Sequence, residues 1–414
     1  MPRQRPLYTK RALHEWTTEI THAFPHLSKP QAAVLALWSF GMVVARSCSL
    51  TTVALVLAKL LHHKAGSVGQ RLREFYQEAP AKSGSKRGRK RQELDLTTCF
   101  GPLLRWLLND WPSQRLAVAL DASTLGTLFT VLCLSVVYRG TAIPIAWKIL
   151  PAASKGSWKE PWLDLLQQFE GIVPAGWTVL VLADRGLWAQ WLFEGIRKLG
   201  WHPMLRINQG GKFRPRGWVH FVPLTSLVPR LGSRWRGDGT AFATRGLQVE
   251  CTLLAFWGEG HEEAWLILTD LAPEGSDATW YGLRSWIEQF FKDSKRGGWQ
   301  WQHTRMKDPA RAERLWLALA VAMLWLVRVG GADEAAEPLS SPPAVRLWSA
   351  ESAARPKTRR WRLVSVWQRG WIQILVSLVE HRRLPLGAWK PEAWPEVPKL
   401  PEPASATNEL REAG

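Results

Sequence analysis

Two apolar runs that each end in an aspartate, Val118-Ala119-Leu120-Asp121 and Val181-Leu182-Ala183-Asp184, narrow most sharply what this chain can fold into. Both read as buried strands. A carboxylate at the carboxyl end of a buried strand is costly unless something compensates it. Two brought together repel, unless a divalent cation sits between them. Taken singly, either aspartate is equally well read as the first residue of a turn; two near-identical contexts argue against that. The surrounding pattern is strand-rich and regular. FTVLCLSVVYRG and TAIPIAWKIL read as strands around a Tyr138–Thr141 turn, residues 158–169 as a helix, LWAQWLFEGIRKLG as a helix and WHPMLRIN as a further strand. Three strands, helix, strand, helix, strand predicts an α/β fold with a mixed sheet.

The rest of the 414 residues frames this core. Residues 1–112 read as helical, with Ser49-Leu50-Thr51-Thr52 as a cap before VALVLAKLLHH. Short helices joined by short turns suit a helix-turn-helix reader or an ordinary bundle. In 79–93, Lys82, Lys86, Arg87, Arg89, Lys90 and Arg91 fall among Gly and Ser; such a run forms no core and is either a solvated loop or an arm along phosphates. Residues 209–264 read as a β-rich insertion, AWLILTD as a strand, 277–296 as a helix, and a second helix runs from Asp308-Pro309 to about Val329. Its apolar stretch, Leu315 to Val327, is short for a bilayer and reads as a buried helix. Beyond 333, Pro-rich segments flank one helix at about 362–381, and the last residues read as disordered.

Composition bounds the class. A net charge of +19 points to a polyanion, nucleic acid or an acidic membrane surface. Cys48, Cys99, Cys133 and Cys251 are far apart, with no CxxC and no histidine at ligand spacing, which excludes a disulfide framework and a structural zinc site and fits an intracellular setting. The N-terminal residues carry no secretory h-region. The 27 tryptophans either pack a core or stack on bases.

The third element is the segment from Tyr281 to Lys295. Tyr281, Arg284, Glu288 and Lys295 are spaced by three, four and seven, which places them on one helix face. An acid, two cations and a phenol on one face suit a metal carboxylate beside a phosphate clamp; an exposed face with an Arg284–Glu288 pair is the plainer alternative. Hard oxygen donors without Cys or His favour magnesium or manganese.

These four residues match the signature Y-x2-R-x3-E-x6-K, and the chain resembles bacterial insertion-sequence transposases of the DDE type, specifically the insertion-sequence-four family. The contexts LDAST at Asp121 and ADRG at Asp184 and the order of the acids agree with it. The resemblance covers roughly residues 30–330. It implies a ribonuclease-H-like catalytic core, a mixed sheet flanked by helices, with a β-rich insertion and helical N-terminal and C-terminal regions. Asp121, Asp184 and Glu288 would hold two Mg2+ ions, with Mn2+ able to substitute. Tyr281, Arg284 and Lys295 would bind phosphates near the cleaved end, and a tryptophan of the insertion would stack beside a flipped base. Trp265, in WLILT, is the nearest match, with Trp257 and Trp235 as rivals and a core role as the alternative. Arg185 and Gly186, just after Asp184, read as turn and phosphate-proximal residues, and Lys212, Arg214 and Arg216 in the insertion as candidate backbone contacts or solvated loop residues.

The organisation so implied is 1–78, a helical DNA-binding region; 79–112, basic linker and helix; 113–208 and 265–332, the two parts of the core, with 209–264 inserted between them; and 333–414, a C-terminal region with a dimerisation helix, in which Arg355–Arg362 contacts DNA or a second subunit. The expected activity is cut-and-paste transposition through a hairpin, on double-stranded DNA ends and target, by a homodimer in the cytoplasm at the nucleoid. No membrane and no small-molecule substrate is expected. A nuclease without strand transfer and a domesticated DNA-binding copy are the alternatives.

Overall fold

The computed structural model of the chain describes residues 4–83, 92–125, 127–154, 156, 158–336, 364–392, 394 and 397. Lys86, Arg87, Arg89, Lys90 and Arg91, the run 355–362 and the tail after 397 lie outside the described residues.

Helices α1 (Gln4–Ala23), α2 (Lys29–Ala45), α3 (Leu50–Leu61), α4 (Ala65–Tyr76) and α5 (Thr97–Leu108) come first. Ser28 and Gln31 close a capping box on α2. Ser49 accepts from the Thr52 amide and starts α3. The chain bends by 93° between α2 and α3, inside the range of about 90–120° found in helix-turn-helix pairs.

Strands β1 (Arg115–Leu125), β2 (Phe129–Tyr138) and β3 (Thr141–Pro151) form an antiparallel meander, and α6 (Lys159–Gln167) leads to β4 (Thr178–Ala183). Helix α7 (Gln190–Lys198) leads to β5 (His202–Arg206). β1 pairs parallel to β4, and β4 parallel to β5. The insertion holds β6 (Lys212–Pro215), β7 (Val222–Pro223), the one-turn helix α8 (Leu224–Leu227), β8 (Arg234–Ala241) and β9 (Val249–Phe256), followed by β10 (Trp265–Thr269). Because β10 pairs with both β5 and β9, the insertion prolongs the core sheet. The result is one mixed ten-stranded sheet in the order β3-β2-β1-β4-β5-β10-β9-β8-β6-β7.

The segment read as one helix over 277–296 is instead two. A 3-10 helix covers Ala278–Ser285, started by Asp277, whose carboxylate accepts from the Thr279 amide and hydroxyl. Helix α9 (Trp286–Ser294) continues it, and Lys295 is its C-cap. α9 buries Trp286, Ile287, Phe290 and Phe291. Phe290 meets Trp316 edge-on at 6.0 Å, and Trp316 in turn packs against Trp147 and Trp301. Much of the tryptophan excess is therefore core, and this cluster fixes α9 against the sheet.

Trp316 belongs to α10 (Pro309–Ala336), which extends seven residues past the expected Val329 and packs on α2, α4, α5, β3 and α11 (Val366–Val379). By length and hydropathy α10 could cross a membrane, but 89% of its apolar window is buried among these neighbours, so it is a core helix.

Candidate active site

The parallel pairing of β1 and β4 ends with Leu120 opposite Ala183. Asp121 and Asp184 are the next residue on each strand, so register alone sets the two carboxylates side by side, with strand axes about 4.8 Å apart. This corrects one detail of the sequence reading. Asp184 does follow the last residue of its strand, but Asp121 does not end β1, which runs on to Leu125. What ends at Leu120 is the pairing with β4; from Asp121 onward β1 pairs only with β2, and residues 121–124 are no longer fully buried. Asp184 then starts a tight turn, its Oδ1 accepting from the Gly186 amide at 3.0 Å. Asp121 Oδ1 accepts from the Ala122 amide at 2.9 Å.

The third acid arrives from the two-part helix. In a 3-10 turn residues i and i+3 eclipse, and in an α-helix i and i+4 adjoin. Tyr281 and Arg284 lie on the first part and Glu288 on the second, so the mixed helix keeps one face across its change of pitch. Arg284 is the hub. Its guanidinium reaches Asp121 Oδ2 at 3.1 Å, Asp184 Oδ2 at 3.2 Å and Glu288 Oε1 at 3.5 Å. Lys295 donates to the Ser123 hydroxyl at 2.7 Å and to the Thr124 carbonyl at 3.0 Å. All members of the signature except Tyr281 thus contact one another or the open end of β1.

The electrostatics follow. Burial pushes the Asp121 carboxyl above its ordinary range; Arg284 opposes this, and Asp184 and Glu288 add to it. Burial lowers Lys295, with Asp121 opposing. Burial raises Tyr281 to about 12, so its phenol stays protonated at neutral pH. Burial also works against the Arg284 charge, but Asp121, Tyr281, Asp184 and Glu288 outweigh it and raise its pKa.

Three carboxylates without Cys or His are the donor set of a hard divalent ion. Their arrangement here is that of a cage around a guanidinium. Among the described residues no group of three or more His, Cys, Asp or Glu side chains is gathered closely enough to hold a metal ion. The donors fit the ion by chemistry, and their spacing fits Arg284.

Trp265, the first residue of β10, is 7% exposed, packed between His261 at 4.4 Å and Tyr281 at 5.2 Å. Arg185 pairs with Glu263 at 2.6 Å. The other partners at this point belong to no sequence motif. Arg206 meets the same Glu263 oxygen at 2.5 Å, and Gln209 donates to its other oxygen at 3.3 Å. Arg206 ends β5 much as Asp184 follows β4, so strand-end position could have flagged it; Glu263, a loop acid, carries no such signal.

Lys212 and Arg214 lie on β6, five strand positions from β4, which at about 4.8 Å per strand is roughly 24 Å away. Arg214 donates to the Thr240 hydroxyl, and Arg216, just beyond β6, pairs with Asp238. Trp235 packs edge-on against Phe213, and the Trp257 indole donates to the His261 carbonyl.

A search of curated proteins finds no match to the chain. A family model does match part of it, over a stretch that starts after Asp121 and contains Asp184, Tyr281, Arg284, Glu288 and Lys295. That domain implies a ribonuclease-H-like fold, with which the mixed α/β sheet agrees. Residues 134–325 match the transposase DDE domain, and the match supports a DDE transposase.

Proposed function

We propose that this chain is a cut-and-paste DNA transposase of the insertion-sequence-four type, in which Asp121, Asp184 and Glu288 are the metal-binding acids of the strand-cleaving and strand-joining centre. The observation that carries the reading is the convergence of these three carboxylates, from β1, the β4 turn and α9, on a single cation. Two Mg2+ ions, or Mn2+ in their place, would supply activation of water or a 3′-hydroxyl and neutralise charge developing at phosphorus.

The remaining roles belong to the chain's own side chains. Lys295, held at the end of β1, places a fixed positive charge beside the acids and binds a phosphate oxygen of the cleaved end. Arg284 binds a second phosphate oxygen. Tyr281, protonated at neutral pH, donates a hydrogen bond and backs Trp265. Trp265 would meet a flipped base in the hairpin step, for which a flat apolar partner is required. The 93° pair α2–α3 and the basic residues of 82–91 would hold the duplex ends, and the active assembly is a homodimer on DNA.

The test uses DNA carrying the element's terminal repeats and Mg2+. Changing Asp121, Asp184 or Glu288 singly to Ala abolishes end cleavage and leaves DNA binding by gel shift largely intact. Full cleavage by Glu288→Ala sinks the assignment. Joined products in the wild-type reaction separate a transposase from a nuclease that only cuts. Trp265→Ala slows hairpin formation or opening more than first-strand nicking; equal loss at each step assigns Trp265 to the core instead.

A further inference from the structure

We infer that Arg284 is a built-in plug: its guanidinium occupies the place of a divalent cation among Asp121, Asp184 and Glu288, and it leaves when a phosphate of nucleic acid draws it away. The inference rests on the metal-centre reading above and adds to it an order of events, phosphate engagement coupled to metal entry.

The contacts make the two cations mutually exclusive. Arg284 uses Asp121 Oδ2, Asp184 Oδ2 and Glu288 Oε1. A magnesium ion would need oxygens such as these at about 2.0–2.1 Å, a closeness that carboxylates spread around a planar guanidinium do not reach. The plug sits at the depth of Asp121 and beneath the other two acids. The Arg284 side chain is 15% exposed and Asp121 18%, against 38% for Asp184 and 56% for Glu288, so an ion from solvent meets Asp184 and Glu288 first and Arg284 behind them.

The resting pose is also incomplete. Arg284 Nε is buried without a hydrogen-bond partner among the described residues. Three acids against Arg284 and the neighbouring Lys295 still leave the cluster one negative charge in excess. Both facts favour exchange: a phosphate can satisfy the guanidinium, and a divalent ion balances the acids better than one positive charge does. Because each move removes the obstacle to the other, metal affinity and phosphate affinity are positively coupled.

The experiment reads Mn2+ binding to the purified full chain by electron paramagnetic resonance of free Mn2+, without turnover. Arg284→Gln binds Mn2+ about tenfold more tightly than wild type in the absence of DNA, within the ~5–150-fold usual for such coupling. Adding random-sequence duplex DNA tightens wild-type binding and narrows that gap. Circular dichroism checks folding. If Arg284→Gln does not fold, Arg284→Lys, which cannot span three carboxylates, makes the same comparison. Unchanged or weaker Mn2+ binding in the folded variant overturns the plug and leaves the metal centre standing. Absence of Asp121-dependent Mn2+ binding in every variant, with and without DNA, overturns the metal-centre reading and the plug with it.

Discussion

At the scale of single residues, burial decides which charges the fold tolerates. Asp293 lies on α9 with Oδ1 accepting from Gln289 at 3.0 Å and Oδ2 buried without a partner among the described residues. Burial pushes its carboxyl up to about 7, against that hydrogen bond and the nearby Arg46 and Lys292. The sign is fixed by linkage. Between about pH 4 and 7 the unfolded chain has lost a proton that the folded chain keeps, so stability falls as pH rises through that window and is level above it. Asp293→Asn removes the loss. Its melting temperature should equal or trail wild type near pH 4 and exceed it at pH 8; a gap that does not widen with pH contradicts the assignment. The acids of the site contrast with Asp293. Asp121 is paired directly with Arg284, whereas Asp293 accepts one amide hydrogen bond and feels Arg46 and Lys292 without an ion pair among the described residues.

At the scale of elements, register and pitch place the site. The two aspartates were legible in sequence because adjacent parallel strands with the same apolar run put the next residue of each in line. The signature face was legible too, but not its helix type. The three-four-seven spacing fits a continuous α-helix as well as a 3-10 turn followed by an α-helix, and the Asp277 cap that tightens the first turn is held by Arg234 from the distant β8. Such long-range ties have no local pattern. The same holds for the Arg206–Glu263 pair, for the insertion's continuity with the core sheet and for the α10–α11 crossing. There two glycines let the backbones touch. A Cβ on Gly370 would lie 1.8 Å from the Leu326 carbonyl oxygen, and one on Gly330 1.9 Å from that of Val366. Because backbone cannot yield as a side chain does, Gly370→Ala should cost at least the upper part of the ~1–3 kcal/mol typical of overpacking, read as a lower denaturant midpoint. A neutral substitution would show that α11 does not dock as described.

At the scale of the whole molecule, charge and cross-ties matter most. The helical N-terminal part joins the core through Arg311 with Glu78 and Arg314 with Glu93, both anchored on α10. The Arg311 pairing holds the Glu78 carboxyl down to about 2. On the proposed reading, DNA held on the N-terminal side would thereby be linked, through α10, to the sheet that carries the acids. The net charge of +19 would supply non-specific grip on such DNA. Removing residues 84–91 deletes Lys86, Arg87, Arg89, Lys90 and Arg91. If these follow the phosphate backbone, the slope of log affinity against log salt becomes shallower by up to about 4.5, at roughly 0.9 per phosphate contact. An unchanged slope assigns the run to solvent.

The central claim is that Asp121, Asp184 and Glu288, from three separate parts of the chain, bind the ions that cleave DNA. A change of ligand chemistry tests it most directly. Asp184→Cys replaces a hard oxygen donor by a thiolate, which disfavours magnesium and accepts softer ions. Cleavage of end DNA by this variant should vanish in Mg2+ and return in Mn2+ or Cd2+, while wild type works in Mg2+. Full activity of the cysteine variant in Mg2+, or no recovery with any thiophilic ion, would contradict the account.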